Sequence, residues 1–399
     1  MRLSKYFYKG QKNVKDTLPL SLNRLIRGCF ISQEASGVFR LLPLGLRVLK
    51  KITKVIEEEM DKIAIQVELP FIQTTDLWKK SGRYEVYGKE MLRLKDRNEN
   101  EFILPPTCEE GIFNVFEKIC ESYKDLPKTL YQITWKFRDE LRPRGGLLRG
   151  RLFLMKDAYS FATNEENAHK DYVNNYNAYV NIFKKLNLEV YSIRADSGEI
   201  GGDLSHEFVI KSSEGDGDAF LHKTINSVNN INDIKELSGS FSEELLEDKH
   251  HEKVKVIELG HIFYYDTKYA NKLNSTFTDN NGNKLPYYGG CYGIGVTRIM
   301  GILSMMDFWP MLVSPFTLHI ISVFGQESLA EDLYNQLMEK NIDVLYDDRN
   351  LSFGEKKYDL NLIGIPKRVI VGKEHIEYYN ENKDPVYVKN IDELLNLLS

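Results

Sequence analysis

Tyr131-Gln132-Ile133-Thr134-Trp135-Lys136-Phe137-Arg138-Asp139-Glu140 is followed, after Arg142-Pro143-Arg144-Gly145-Gly146, by Arg149, Arg151, Phe153 and Asp157. Side chains of a strand alternate between two faces. On that period Tyr131, Ile133, Trp135 and Phe137 point one way, and Gln132, Thr134, Lys136, Arg138 and Glu140 the other. In the second run Arg149, Arg151, Phe153 and Asp157 share a face. The segment between them is a turn signal carrying two further cations, Arg142 and Arg144. The spacing predicts a hairpin with one core face and one face of arginines, carboxylates and a single ring. Such a surface suits a polyanion that carries a flat ring, as a nucleotide does.

Around this hairpin the pattern is that of a globular protein. Of 399 residues 42% are hydrophobic and 28% charged, which excludes a disordered chain. The length allows two or three domains. A net charge of −5 gives no global basic field, so any nucleic-acid surface must be local, and the run from Arg142 to Arg151 is the densest candidate. Cys29, Cys108, Cys120 and Cys291 stand far apart without a CxxC pair, as expected in a reducing compartment with no cysteine-based metal site. The N-terminus carries neither an apolar signal core nor an Arg/Ser-rich leader, and no run reaches about 18 apolar residues. A cytoplasmic protein without a membrane span is expected.

Leu46, Leu49, Ile52, Val55, Ile56, Met60 and Ile63 recur at helical spacing and predict a helix over 44–63, either a core or a dimer element. Ile65, Val67 and Leu69 alternate as a strand that stops at Pro70. Helix 164–187 and strand 189–195 follow the hairpin. The loop Asp196-Ser197-Gly198-Glu199-Ile200-Gly201-Gly202 leads into a strand, Ser205 to Ile210. Residues 213–255 turn polar and lose periodicity, as a small, partly helical insertion or a flexible surface excursion would; its His250-His251 pair reads as a solvated charge run in preference to a metal site. Gly289-Gly290-Cys291-Tyr292-Gly293-Ile294-Gly295 alternates glycines along one strand face, which lets a planar ligand approach the backbone, and leads into a helix with Arg298. Beyond Trp309-Pro310 and Ser314-Pro315, strands at 317–324, 342–347, 368–372 and 385–389 alternate with helices at 326–340, 355–363 and 391–398, a compact α/β domain.

Several of these residues have two readings at this point. Arg138 and Glu140 alone would be a cross-strand ion pair. Thr107-x-Glu109 precedes a helical run, so it is a helix cap or a substrate-binding pair. His206 is a ligand wall or a satisfied core histidine, and Cys291 a small buried wall residue.

Together the motifs resemble a known family. The long helix with the strand ending at Pro70, then Phe137-Arg138-Asp139-Glu140 with Arg149-x-x-x-Phe153-x-x-x-Asp157, then Gly293-Ile294-Gly295-Val296-Thr297-Arg298 resemble motifs 1, 2 and 3 of class II aminoacyl-tRNA synthetases. Leu42-Pro43-Leu44-Gly45, Pro106-Thr107-Cys108-Glu109-Glu110, the run Phe153 to Phe161, Ser205-His206-Glu207-Phe208, Gly260-His261-Ile262-Phe263 and Leu362-Ile363-Gly364-Ile365-Pro366 are similar to the bacterial prolyl-tRNA synthetases. The lack of a large insertion between motifs 2 and 3 resembles their short form.

The resemblance implies an α+β catalytic domain on an antiparallel sheet over 1–310, with an insertion remnant at about 213–255, and a C-terminal α/β anticodon-binding domain over 311–399. It implies ATP as substrate, magnesium with it, L-proline and tRNA(Pro) as partners, and a homodimer formed through helix 44–63. Arg138 would bridge the proline carboxylate and the α-phosphate, catalysing together with Arg298. Arg298 and Phe153 would sandwich the adenine, Glu140 would accept from its amino group, and Arg149 or Arg151 would reach the outer phosphates. Thr107 and Glu109 would bind the secondary ammonium, with His206, Phe208 and Cys291 as walls of the ring pocket. Arg142 and Arg144 would touch the tRNA acceptor end, and Asp347-Asp348-Arg349 and Lys356-Lys357 the anticodon. No magnesium ligand is assigned. With the insertion missing, a separate trans-editing protein would clear alanyl-tRNA, because little apolar bulk separates proline from alanine and pockets discriminate by only on the order of 10–200-fold per methylene. The family pattern is broken at Gly145 (usually Phe), Leu152 (usually acidic), Pro105 (usually Gly) and Ser352-Phe353-Gly354 (usually Arg-Pro-Gly), and Trp309-Pro310 follows Arg298 early.

Two other readings remain: another amino-acid specificity on the same scaffold, and a non-catalytic RNA-binding paralogue. Intact motif 2 and 3 side chains weigh against the paralogue.

Overall fold

A computed structural model of the chain describes all residues except 13–17, 199, 203, 216, 223–226, 238–250 and 399. The chain forms two compact units. One comprises Met1–Ala35, Phe39–Ile52 and Met300–Ser399, the other Ser36–Val38 and Thr53–Ile299.

The second unit is built on one sheet of eight strands: β1 (Ile65–Gln66), β2 (Lys128–Phe137), β3 (Leu152–Phe161), β4 (Tyr191–Arg194), β5 (Leu204–Lys211), β6 (Gly217–His222), β7 (His251–Asp266) and β8 (Gly289–Gly295). Their order is β1-β2-β3-β8-β7-β5-β4, with β6 also on β7. Every pairing is antiparallel except β1 with β2. The hairpin expected from the sequence is β2–β3. Gln132 faces Asp157, Thr134 faces Met155 and Lys136 faces Phe153, so the polar face exists as read. The opposite face is core only in part. Tyr131 is fully buried but Trp135 is 41% exposed, because β1 pairs only with Leu130 and Tyr131 and leaves the far end of β2 at the sheet edge.

Helix α1 (Pro43–Met60) opens on a proline at a position where the missing N–H costs nothing. Its buried stripe is Leu44, Val48, Leu49, Ile52, Val55, Ile56 and Met60. Leu46, expected inside, is exposed: the stripe turns by one residue at the N-terminal end. Helix α2 (Arg83–Val86) is a single turn, and α3 (Glu109–Ile119) follows. The long helix α4 (Glu165–Lys185) is capped by Asn164, whose side chain accepts from the Asn167 amide. Tyr176, Tyr179 and Phe183 of α4 place their rings 5.0, 5.2 and 5.7 Å from that of Phe208 on β5. A second aromatic core fixes α3: Phe116 stacks on Phe161 at 3.7 Å, with Phe113 edge-on at 4.9 Å. Those contacts anchor α3, whose first turn carries Glu109. Helices α5 (Lys268–Leu273) and α6 (Val296–Leu303) follow β7 and β8.

The polar stretch 213–255 is not a separate excursion where it is described. Gly217–His222 pairs along β7 from Val256 back to His251, and Asp218 bridges Lys253 and Lys255 at 3.0 Å each. His250 of the expected charge run lies outside the described residues.

In the other unit, the expected α/β pattern appears as a five-stranded sheet in the order Val344–Tyr346, Leu318–Ser322, Lys367–Val371, Ile376–Asn380, Val386–Val388. The first three are parallel and the last two antiparallel. Ile376–Asn380 was not foreseen; a short connection returns it beside Lys367–Val371. The N-terminal residues join this unit. Arg2 bridges Tyr346 through the backbone, and the Ser4 amide and hydroxyl donate to Asp348 at 2.8 and 2.6 Å. The sequence pattern carries no sign of that partnership.

Among the described residues, no helix is long and apolar enough to cross a membrane.

Candidate active site

Strands β3, β8 and β7 bring motif residues to one cavity of about 380 Å³. Its floor is set by register: Asp157 on β3 pairs with Gly293 on β8, which pairs in turn with His261 on β7. A Cβ at Gly293 would meet only His261 O at 3.9 Å and Met155 Cε at 4.0 Å. Crowding does not require glycine there; its bareness leaves the floor flat. Asp157 is buried and held by Lys136 Nζ at 3.2 Å, Gln132 Nε2 at 2.7 Å and the Tyr159 hydroxyl at 2.8 Å. Burial works against the Lys136 charge, but Asp157 and Cys108 outweigh it and raise the Lys136 pKa.

Arg138 follows β2 directly. Its backbone N–H donates to Arg151 O at 2.9 Å, which extends the hairpin by one rung. Its guanidinium lies 5.3 Å from the Phe153 ring centre, and Nη2 donates to Pro106 O at 3.2 Å. Arg138 therefore stands between a flat ring and the loop that carries Thr107. Arg298, on α6, is fixed as a plane: Nε donates to Leu148 O at 2.7 Å and Nη1 to Glu258 O at 2.6 Å, with the Glu258 carboxylate at 3.4 Å. Glu140 and Arg149 both line the cavity and pair with each other at 3.0 Å.

At the amino-acid side, Thr107, Glu109 and Cys291 also line the cavity. Glu109 opens α3 and is buried, yet it stays ionised: burial pushes its carboxyl up, and the Arg83 guanidinium overcomes this and holds it below its ordinary value. Of the two readings left open for Thr107 and Glu109, capping fails, since Cys108 occupies the N-cap position of α3 and makes no side-chain cap bond. Burial beside Glu109 keeps the Cys291 thiol protonated.

Other expected site residues lie elsewhere. His206 is buried under α4, with Nδ1 2.8 Å from the Tyr172 hydroxyl, and burial lowers its pKa to about 4. It does not line the cavity, and the core reading holds for it. Phe208 is fully buried in the aromatic cluster beneath α4, because its position on β5 turns it to the helix-covered face. Arg151 does not line the cavity; it pairs with Asp139 and lies 5.3 Å from the Phe137 ring. Arg142 and Arg144 are exposed at the turn, where Arg144 and Arg149 exchange backbone hydrogen bonds. Arg349 is engaged internally with Asp347 at 2.6 Å and Asp359 at 2.8 Å, and Lys356 is only 3% exposed. Neither is presented on the surface as an anticodon reader would be.

Residues 92–305 match the family model described as tRNA synthetase class II core domain (G, H, P, S and T), and residues 317–393 that of an anticodon-binding domain. A proline--tRNA ligase of Rickettsia bellii is 40% identical over 394 residues, covering 93% of this chain and 91% of that protein. One from Ehrlichia ruminantium is 41% identical over 403 residues, covering 95% and 93%. The chain belongs to the prolyl-tRNA synthetases. Its fold is accordingly the class II synthetase core with an anticodon-binding domain. A prolyl-tRNA synthetase from Cryptosporidium parvum, solved with halofuginone and AMPPNP, superposes with a TM-score of 0.75 at 17% identity, over 95% of this chain and 76% of that one.

Residues that sequence reasoning did not assign also stand at the cavity or directly behind it. Arg83 contacts Thr107, Glu109 and Glu110. Glu258 and His261 line the cavity beside Arg298. Burial opposes the Glu258 charge, but His261 and Arg298 hold its pKa down to about 2. His261 lies 3.6 Å from Glu258 and 3.7 Å from Glu207, and stacks on Phe263 at 3.8 Å. The glycine-histidine motif was visible in sequence, but of its carboxylate partners Glu207 is brought in by strand pairing, while Glu258 lies three residues before it on β7. Asp196, Ser197, Gly198 and Ile200 line the cavity from the loop after β4, and Glu199 of that loop lies outside the described residues.

Proposed function

We propose that the cavity activates L-proline with ATP and then charges tRNA(Pro). The observation that carries this is the position of Arg138. It lies over the Phe153 ring and bonds the carbonyl of Pro106, one residue before Thr107. An anion-binding fork thus separates a ring clamp from an amine subsite by one peptide. A molecule with a carboxylate next to an ammonium, reacting with a nucleotide phosphate, matches that order.

In the reaction, a proline carboxylate oxygen attacks the α-phosphorus and pyrophosphate leaves; the terminal ribose hydroxyl of tRNA later attacks the prolyl carbonyl, and AMP leaves with its phosphate oxygen. No covalent enzyme intermediate is involved, so the work is positioning and charge stabilisation. Arg138 offers two donors in a fixed fork and stays charged, so it can hold both anions as charge builds on phosphorus. Phe153 and Arg298 take the two faces of the adenine. Glu140 accepts from its amino group, and Arg149 faces the outer phosphates. Thr107 and Glu109 take the ammonium, and Cys291 lies against the ring.

Among the described residues no three His, Cys, Asp or Glu side chains are placed so that they could hold a metal ion. A magnesium ion would be held mainly by ATP phosphates, with Glu258 as the carboxylate able to share it. The ion would neutralise phosphate charge. We further read residues 1–310 as the catalytic part and 311–399 as the anticodon-binding part of a cytoplasmic homodimer joined through α1. Arg142 and Arg144 face the tRNA end. Alanyl-tRNA is left to a separate protein; deacylation of alanyl-tRNA(Pro) by the purified chain alone would remove that point. The central test is ATP–pyrophosphate exchange with each of the twenty amino acids. Exchange with proline is expected. Exchange with a different amino acid, or none, overturns the reading.

A further inference from the structure

Arg83 is almost fully buried, at 3% exposure, and does not line the cavity. It follows Gly82, whose left-handed φ of 80° turns the chain sharply into α2. Its guanidinium carbon lies 5.0, 5.1 and 5.5 Å from the ring centres of Trp78, Tyr87 and Tyr269. Three rings box a cation in place. Within the box, Nη1 donates to Glu109 Oε2 at 2.8 Å and to both oxygens of Glu110 at 3.2 and 3.1 Å, while Nη2 donates to Thr107 Oγ1 at 2.8 Å. Ser81 donates to Glu110 at 2.7 Å. Two partners of Arg83, Thr107 and Glu109, face the cavity; the third, Glu110, is fully buried behind them.

With both carboxylates ionised the charges would not balance. One guanidinium meets two carboxylates where water is excluded, and uncompensated buried charge is expensive. Arg83 holds Glu109 ionised, while burial and the Glu109 charge raise the Glu110 pKa despite Arg83. A secondary ammonium arriving beside Glu109 makes two cations against two carboxylates.

We propose that Arg83 is a positioning residue of the amine subsite, and that Arg83, Glu109 and Glu110 form a triad whose charge is completed only by a cationic amine. The proposal rests on the reading of Thr107 and Glu109 as the proline amine subsite. Arg83 sets the geometry through Thr107 and Glu109 and never touches the substrate. Glu110 supplies the excess negative charge, and loses its proton when the ammonium binds. The other groups around the triad are Tyr87, Tyr269 and Lys268 on the Arg83 side and Tyr159 and Cys291 near Glu109. The tyrosines and Cys291 are held neutral by burial, so they add no further anion to the triad. Lys268 donates to Ile200 O at 2.6 Å, and its own pKa is lowered, first by burial.

The test uses the full chain, with proline as the probe, in exchange assays and in calorimetry in two buffers of different ionisation heat. Arg83→Met is expected to raise the proline KM on the order of 100-fold while the ATP KM stays within about twofold, and Arg83→Lys to recover part of the loss. Binding of proline to the unmodified chain should release a proton, and proline affinity should rise with pH until Glu110 of the free protein is ionised. Glu110→Gln should abolish both the proton release and that pH limb. Equal KM changes for proline and ATP in Arg83→Met, or a Glu110→Gln variant with unchanged proton release, overturns the proposal. The Glu110→Gln arm decides even if Arg83→Met fails to fold. A chain that neither binds nor exchanges proline overturns this and the functional reading together; one that does both but fails the variant arms overturns this alone.

Discussion

Replacing Arg138 with alanine should separate catalysis from folding. Among the described residues the side chain hydrogen-bonds Pro106 O at 3.2 Å and meets the Phe153 ring at 5.3 Å. Loss of a charged hydrogen bond costs about 1.5–3 kcal/mol and of a cation–π contact about 0.5–1. Half-burial brings the folding cost to the low end, about 2 kcal/mol, which leaves the chain folded at 25 °C. Activity should fall much further. Two charge-assisted bonds from the guanidinium to the reacting anions are worth about 3–6 kcal/mol together, or roughly 10²–10⁴ in rate. Arg138→Lys keeps the charge without the fork and should recover about a tenth to a hundredth of the activity. The assay is proline-dependent ATP–pyrophosphate exchange at saturating ATP, with thermal unfolding followed in parallel. Exchange within about tenfold of the unmodified chain, with a normal melting curve, would show that Arg138 does not hold the reacting groups.

Arg144→Ala should leave exchange intact and slow transfer to tRNA by about fivefold, the worth of one exposed phosphate contact, with the deficit shrinking at high salt; equal loss in both steps contradicts the split. Arg349→Ala should destabilise the unit that holds it by about 3–5 kcal/mol, because Asp347 is fully buried and loses its cation; urea unfolding measures this, and a stable variant with impaired charging would return Arg349 to the anticodon. His206 has a folded pKa of about 4 against 6.5 when free, so the unfolded chain takes up the proton first. Stability should be complete above pH 6.5 and fall as pH drops from 6.5 to 4, by at most ~3 kcal/mol. His206→Asn should flatten that part of the pH–stability curve without changing the proline KM, whereas a raised KM would put His206 back in the pocket.

The hairpin and the glycine strand were legible because strand periodicity sorts faces without reference to anything distant. Gln132, Lys136, Phe153 and Asp157 fell on one face for that reason, and Gly293 lay where a bare floor was expected. His206 and Phe208 were misplaced for a related reason. Periodicity tells which residues alternate, not which face of the sheet a helix will cover, and α4 covers theirs. Trp135 shows the same limit, since nothing local reveals that β1 is only two residues long. Arg349 and Lys356 were chosen for charge alone; Asp347 and Asp359 bury that charge from 2 and 10 residues away. Arg83 was missed because its partners lie 24 to 27 residues further on, joined by no repeat or motif spacing.

The N-terminal residues that reach Tyr346 and Asp348 set an order on biosynthesis. At roughly 5–20 residues per second, the partners of Arg2 and Ser4 leave the ribosome about 17–70 s after them. The whole sheet from Ile65 to Gly295 has emerged by then. The first residues therefore wait, unpaired, while the later-made catalytic sheet assembles ahead of them. They close last, on the sheet that is synthesised last. Cutting the chain at 310 would strand both ends: the C-terminal fragment would lack the backbone bridge to Tyr346 and the cap on Asp348, and should fold fully only when a peptide of the first residues is supplied in trans.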